Sequence, residues 1–89
     1  MLEYAIEIAR SVESDLRKIP VDKHEAFFIE IENLTTNPFP ESRYKKLKGT
    51  KHSYRLRVGN YRILYEVDSS ERLITIYRIR HRKDSYTNL

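Results

Sequence analysis

The 89-residue chain contains no cysteine, only two glycines and three prolines, and no long apolar run. Without cysteine it can form neither a disulfide framework nor a thiolate metal site, and a reducing cytoplasm is the simplest environment to expect. The lack of a membrane-length apolar run or a signal-peptide pattern predicts that no membrane is involved. Since repeats and linkers are also absent, we expect one domain over residues 1–89, with a modest core.

Positive charge is unevenly distributed along the chain. The formal net charge is +4, from 17 Lys and Arg against 13 Asp and Glu. Acidic residues concentrate before Arg43, and basic residues follow it. This distribution predicts that the two halves meet different partners and that the second half meets an anion.

Helical spacing and helix-capping residues are found in the first half of the chain. Ser11 is placed to cap a helix that begins at Val12 and ends before Pro20. Asp22 and Glu25 have the spacing of a capping box for a second helix. The apolar stripe predicted for that helix consists of Phe27, Phe28, Ile31 and Leu34.

Alternation of apolar and polar residues predicts strands over 2–8 and on both sides of Gly59-Asn60. A two-residue Gly-Asn connection between such runs is a hairpin signal. The expected pairs are Val58–Tyr61, Arg57–Arg62, Leu56–Ile63 and Tyr54–Tyr65. The apolar face would then contain Tyr54, Leu56, Val58, Tyr61, Ile63, Tyr65 and Val67.

Residues 72–80 are predicted to form a third strand that follows the hairpin in a meander. Alternation places Leu73, Thr75, Tyr77 and Ile79 on one side of it and Ile74, Ile76, Arg78 and Arg80 on the other. The turn at 68–71 leaves its pairing register open. The segment 43–49 is either a short extended piece or a loop. The order strand, two helices, strands predicts an α+β fold with an antiparallel-dominated sheet and both helices on one face. The first strand must join this sheet to bury Ile6 and Ile8, and it can do so beside the third meander strand.

The other face of the hairpin carries Arg55, Arg57 and Arg62. Arginines directly opposite each other cost stability, so this cluster indicates a function that needs positive charge. The alternative is a solvated face on which these arginines pair with Glu66 and similar acids.

Three segments resemble toxins of the RelE/ParE superfamily of type II toxin–antitoxin systems. They are Leu47-Lys48-Gly49, the run from Tyr54 to Val67, and the C-terminal run from His81 to Tyr86. The resemblance implies a RelE-like β-α-α-β-β-β fold over essentially the whole chain. It also implies a cytoplasmic protein with a cognate antitoxin as partner.

The RelE branch implies a ribosome-dependent endoribonuclease that cuts messenger RNA in the ribosomal A site. The 2′-hydroxyl of the substrate attacks the adjacent phosphate, the 5′-oxygen leaves, and neither metal nor cofactor takes part. The ParE branch implies instead a toxin that binds DNA gyrase and catalyses nothing. A third interpretation is an inactive module that binds RNA without cutting it.

This chemistry needs a base, cations for the transition-state charge, and a proton for the leaving oxygen. Arg57 and Arg62, paired across the hairpin, can clamp a phosphate. By resemblance, Arg62, Arg57 and Arg55 are catalytic, Arg82 assists the leaving group and Tyr86 is the base. His81 and His52 remain alternatives for the base, since histidine titrates near neutral pH. The predicted substrate-binding residues are Lys45, Lys46, Lys48, Lys51 and His81.

Overall fold

Five strands and two α-helices make up the part of the chain, residues 3–40 and 43–83, that the computed structural model describes. The elements are β1 (Ala5–Ile8), α1 (Arg10–Arg17), α2 (His24–Leu34), β2 (Tyr44–Lys46), β3 (Ser53–Val58), β4 (Tyr61–Asp68) and β5 (Leu73–His81). The α+β class is therefore confirmed, and the segment left open at 43–49 contains a short strand. Of the helices described, none has the length and apolarity needed to cross a membrane.

The strands form one sheet in the order β1-β5-β4-β3-β2. The β2–β5 pairings are antiparallel, and β1 lies parallel to β5, the place expected for the first strand. The hairpin register is the predicted one, with Arg57 opposite Arg62. Gly59 has φ +60° whereas Asn60 does not have a positive φ, which is the pattern of a type II′ turn.

One face of the sheet carries the core, and both helices pack on it. The predicted apolar face of the hairpin is confirmed, and α1 and α2 contribute Val12, Phe27, Ile31 and Leu34. Phe27 contacts Tyr61 edge to face at a centroid distance of 5.4 Å, which holds α2 over the end of the hairpin.

The predicted start of α1 is wrong by two residues. The helix begins at Arg10, and the residue at the capping position is Ala9. Ser11 lies inside the helix and its Oγ donates a hydrogen bond to the carbonyl of Tyr77 at 2.6 Å. The hydroxyl therefore satisfies a strand rather than its own helix, which sequence spacing alone does not reveal.

The predicted capping box of the second helix is also absent. Val21–Lys23 forms a 3-10 turn, Asp22 makes no capping hydrogen bond, and α2 starts at His24. The Nε2 atom of His24 lies 3.0 Å from the carbonyl oxygens of both Leu16 and Ile19. A contact with the end of α1 thus anchors the start of α2.

Two apolar side chains that were expected in the core are half exposed. Ile8 is 48% exposed because β1 is an edge strand that has a neighbour on one side only. Phe28 is 49% exposed because α2 buries the stripe that starts at Phe27, and Phe28 lies beside that stripe.

A β-bulge at Tyr77 changes the alternation of β5. The pairs on its two sides are Leu64–Arg78 and Tyr65–Ile76. Tyr77 is the extra residue, so Ile79 lies in the core together with Ile76. Simple alternation placed Ile79 and Ile76 on opposite faces, which is wrong because the bulge shifts the register by one residue.

The hydroxyl of Tyr65 is a polar group inside this core. The residue is 0% exposed, and the hydroxyl donates a 2.7 Å hydrogen bond to the carbonyl of Pro38. Burial, helped by Tyr44 and Tyr54, raises the pKa of Tyr65 well above its ordinary value. The folded protein keeps this proton at pH values at which the unfolded chain, with a pKa of about 10, releases it.

The contribution of Tyr65 to the free energy of unfolding should therefore be fully present below about pH 10. Above that pH it should fall by up to about 1.4 kcal/mol per pH unit. We expect Tyr65→Phe to remove this alkaline loss. At pH 7 the variant should lose about 1–2 kcal/mol, because the Pro38 carbonyl loses its donor. Urea unfolding of both proteins between pH 7 and 11 measures this, and equal alkaline slopes would contradict the assignment.

Candidate active site on the cationic face of the sheet

Three arginines lie side by side across three strands on the face opposite the core. Arg57 pairs with Arg62, and Arg62 pairs with Arg80, on β3, β4 and β5 respectively. Neighbouring strands are about 4.8 Å apart, so the three side chains start within about 10 Å of one another. We call Arg57, Arg62 and Arg80 the arginine row.

Three further cations extend the positive surface on the β2 side of the arginine row. Lys45 pairs with Arg55, on the same face as the row. Arg43 precedes β2, and its carbonyl accepts a hydrogen bond from the backbone N–H of Arg57 at 3.1 Å. An open concavity of about 230 Å³ lies among these side chains, and Arg43, Tyr44, Lys45, Arg55, Arg57 and Arg62 line it.

Few of these charges are neutralised by the described carboxylates. Arg43 forms an ion pair with Glu30 of α2 at 2.8 Å. Among the acids of residues 3–40 and 43–83, none lies within ion-pair distance of Arg55 or of any member of the arginine row. The guanidinium of Arg62 donates a hydrogen bond to the carbonyl of its neighbour Tyr61 at 3.3 Å.

Glu66, the acid proposed for a merely solvated face, has a different contact. It pairs with Ser53, whose Oγ lies 3.4 Å from Oε2 of Glu66. This pair lies farther along β3 and β4 than the arginine row. Within residues 3–40 and 43–83, no carboxylate therefore compensates the repulsion between Arg57 and Arg62, as expected of a site that binds an anion.

The structure brings the three predicted hairpin arginines together, with Lys45 beside them. Of the other predicted lysines, Lys46 and Lys48 line a second groove together with Lys45, and Lys51 is exposed in the loop before β3.

The two histidines are not part of the arginine row. His81 pairs with Tyr61 on the core side, and the two rings meet edge to face at 5.2 Å. His52 lies at the far end of the sheet, beside Glu66 and Asp68. The ring of His81 therefore lies on the face opposite Arg62, whereas His52 is distant from the arginine row along the strands.

The C-terminal residues are described only in part. The backbone N–H of Arg82 donates to the carbonyl of Asn60 at 2.7 Å, which ties it to the hairpin turn next to Arg57 and Arg62. The side chain of Arg82 is exposed. Tyr86, the predicted base, lies outside the described residues.

Sequence reasoning missed two arginines of this surface, Arg80 and Arg43. The alternation of Arg78 and Arg80 in the third strand was a signal. It did not fix their partners because the bulge at Tyr77 cannot be read from the spacing. Arg43 was overlooked because its segment had no assigned structure.

The chemistry of this surface is the binding of an anion with several oxygens. Guanidinium forks can donate two hydrogen bonds at once to a phosphate and are always charged. Such groups suit the stabilisation of a phosphorane-like transition state. They have no lone pair to give to a metal ion, so the arginine row cannot supply metal ligands.

Known proteins share both this sequence and this fold. The family of ParE toxins of type II toxin–antitoxin systems, parDE, matches residues 6–86. "Putative toxin RelE1" of Methanocaldococcus jannaschii is 36% identical over 89 residues, which cover 98% of this chain and 99% of that protein. Both matches extend over nearly the whole chain.

Two solved structures also resemble it. The toxin of the archaeal RelE–RelB complex from Pyrococcus horikoshii superposes with a TM-score of 0.77 at 30% identity, covering 89% of this chain and 94% of that one. In the RelB–RelE antitoxin–toxin complex from Methanococcus jannaschii the TM-score is 0.73 at 32% identity, covering 91% and 95%. From the family match and these similarities, the chain belongs to the RelE/ParE superfamily of toxins of type II toxin–antitoxin systems.

Proposed function

We propose that this toxin is a ribosome-dependent endoribonuclease that cuts messenger RNA in the A site, without a metal, and so stops translation. The observation that supports this most is the arginine row, which has no described carboxylate as a partner. A toxin that acted only by occupying a protein surface would not need three adjacent guanidinium groups on one sheet face. The relatives named above are RelE proteins, which favours this branch over the gyrase-binding one.

In the proposed reaction, the 2′-oxygen of a nucleotide forms a bond to the adjacent phosphorus and the bond to the 5′-oxygen breaks. The products are a 2′,3′-cyclic phosphate and a free 5′-hydroxyl. Arg57 and Arg62 face each other across the hairpin and are placed to hold the non-bridging oxygens, on which negative charge accumulates. Arg80 extends the same row on the β5 side.

The two proton transfers fall to the C-terminal residues in this proposal. Tyr86 takes the proton of the 2′-hydroxyl, and Arg82 assists departure of the 5′-oxygen. A tyrosine has a reference pKa of about 10, and neighbouring guanidinium groups favour its ionised form. The backbone hydrogen bond between Arg82 and Asn60 places Arg82 beside the hairpin turn.

A cognate antitoxin of the RelB kind is the protein partner that we propose. The solved relatives were crystallised as RelE–RelB complexes. Since the substrate is on the ribosome, we place the toxin in the cytoplasm.

Primer extension on a defined messenger in a purified translation system tests the reaction. We expect cuts in the A-site codon with the wild type, only when ribosomes are present. Tyr86→Phe removes the base, and loss of general base catalysis should slow cutting about 100-fold or more. Cutting at the wild-type rate by Tyr86→Phe would show that a group other than Tyr86 is the base.

Complete absence of cuts from a folded wild-type toxin would refute the nuclease. The family model that matches carries the name of ParE, so a gyrase assay is the next experiment in that case. RNA binding that weakens with salt, with neither cutting nor gyrase inhibition, would instead indicate an inactive RNA-binding module.

A further inference from the structure

We propose that a groove next to the arginine row binds a base of single-stranded RNA, with Tyr77 as the stacking platform. The inference rests on the proposed function for its choice of RNA, and it adds a binding subsite on this face of the sheet. The groove has a volume of about 560 Å³ and lies between β5 and the segment that follows β2.

The groove combines an apolar floor with a cationic rim. Leu47 and Tyr77 provide the apolar and aromatic surface, while Lys45, Lys48 and Arg55 line the same space. A purely apolar partner would leave these charges desolvated and unpaired, which is costly. A simple anion would leave the aromatic surface unused, whereas a nucleotide has a flat base and a charged phosphate and matches both.

Two of these residues connect the groove to the anion site. Lys45 and Arg55 line both the groove and the concavity in which Arg57 and Arg62 lie. A phosphate bound at the concavity therefore has a neighbouring nucleotide within reach of Tyr77. Bases of single-stranded RNA commonly stack on tyrosine rings, and this contact tolerates any base.

The β-bulge explains why the ring of Tyr77 is available. As the extra residue, Tyr77 has no partner on β4, and it follows the buried Ile76. Its side chain is only partly buried and faces the groove rather than the core. The carbonyl of Tyr77 is held by Ser11 at 2.6 Å, which fixes the backbone from which the ring projects. Bulges commonly re-aim a side chain next to an active site.

Binding of short RNA to the purified toxin tests this without requiring cleavage. The probes are a fluorescein-labelled single-stranded hexanucleotide and the same backbone with abasic residues, measured by fluorescence anisotropy at matched salt. Tyr77→Leu, which keeps apolar bulk but removes the ring, should weaken binding of the base-containing probe roughly 5- to 150-fold. Its affinity for the abasic probe should equal that of the wild type, and Tyr77→Phe should restore binding of the normal probe.

Equal affinity of wild type and Tyr77→Leu for the base-containing probe would overturn the subsite. So would an equal loss with both probes, because that points to a distorted fold. If Tyr77→Leu does not fold, the test uses the wild type and Tyr77→Phe instead. Both must bind the base-containing probe more tightly than the abasic probe. Loss of antitoxin binding by Tyr77→Leu, with RNA binding intact, would assign the groove to the antitoxin and refute the proposal.

This experiment separates the subsite from the nuclease. A wild-type toxin that cuts no messenger but shows the base-dependent, Tyr77-dependent affinity would refute the proposed reaction and retain the subsite. The opposite outcome is also possible to distinguish. If the wild type cuts ribosome-bound messenger, and Tyr77→Leu cuts it at the same rate and binds both probes as tightly as the wild type does, the reaction is retained and the subsite is refuted.

Discussion

Arg62→Ala should lower the rate of messenger cutting by about 100- to 1,000-fold, the range observed when a preorganised donor to transition-state charge is removed. Arg62 is the central member of the arginine row, since Arg57 and Arg80 flank it on the two neighbouring strands. It is also partly buried, so its charge is less screened than that of an exposed arginine. We expect the loss to appear in the rate of the chemical step on saturated ribosomes.

The stability of Arg62→Ala should be unchanged or slightly higher. The variant breaks no ion pair with a described carboxylate, and it relieves repulsion from the two adjacent arginines. Urea unfolding beside the cleavage assay distinguishes a lost catalytic group from a lost fold. A destabilisation of several kcal/mol would show that Arg62 has a structural role.

Two variants serve as controls for this prediction. Arg17→Ala makes the same change of charge at an exposed position in the last turn of α1 and should cut at the wild-type rate. Arg62→Lys keeps the charge but loses the planar fork, so it should recover only part of the activity. Cutting by Arg62→Ala within about threefold of the wild type would remove the arginine row from the mechanism.

Asp15→Ala should lower the free energy of unfolding by about 2–4 kcal/mol, as the loss of a buried acceptor and its charge predicts. Asp15 is a helical carboxylate that is only 8% exposed. Its Oδ2 accepts a hydrogen bond from the backbone N–H of Ile79 at 2.9 Å and lies 3.5 Å from Nε of Arg78.

Asp15 should stabilise the protein because it lies beside an edge of β5 that no described strand covers. β1 pairs with β5 only as far as Ile76, and beyond that residue the described part of the chain has no strand next to this edge. Side chains of α1 provide the hydrogen-bond partners of this edge: Ser11 donates to the carbonyl of Tyr77, and Asp15 accepts from the backbone N–H of Ile79. Without the carboxylate, a buried N–H loses its acceptor and Arg78 loses its counter-ion.

Asp15→Asn is the matched variant, because it keeps an acceptor oxygen and loses only the charge. Its expected cost is about 1 kcal/mol, which corresponds to a weaker hydrogen bond and a lost ion pair with the partly exposed Arg78. Glu13→Ala removes an exposed acid from the same helix and should change the free energy by less than about 0.5 kcal/mol. Urea denaturation of the four proteins gives these differences. If Asp15→Ala is as stable as Glu13→Ala, α1 does not support the edge of β5.

Local patterns predicted the elements well wherever each strand pairs with its neighbour in the chain. The hairpin register followed from Gly59-Asn60 and the alternation beside it, because a two-residue turn fixes which residues face each other. The helix starts were predicted less well. Ser11 bonds to the carbonyl of Tyr77 instead of capping its own helix, and His24 rather than the predicted Asp22 and Glu25 holds the start of α2.

The residues of the candidate site likewise divide into those that local patterns predict and those that depend on tertiary contacts. Arg55, Arg57 and Arg62 could be grouped from the sequence, because they lie on one hairpin and alternate with its apolar residues. Arg80 could not be added, since its partner depends on the bulge at Tyr77. The resemblance to RelE toxins supplied Arg82 and Tyr86, for which spacing alone offered no argument.

By itself, the sequence determined the α+β class, the hairpin with its core and cationic faces, and the excess of positive charge that favours an anionic partner. These depend on residue periods and turn residues that act over short distances. Only the tertiary structure decided that Arg80 joins the arginine row, that His81 lies on the opposite face, and that Tyr77 faces a groove. Those outcomes depend on how β5 pairs with β4 across a bulge and on contacts such as Asp15 with Ile79, which are 64 residues apart in the chain. Such contacts are set by competition among alternative packings of the whole chain, and a local pattern does not record which of them wins.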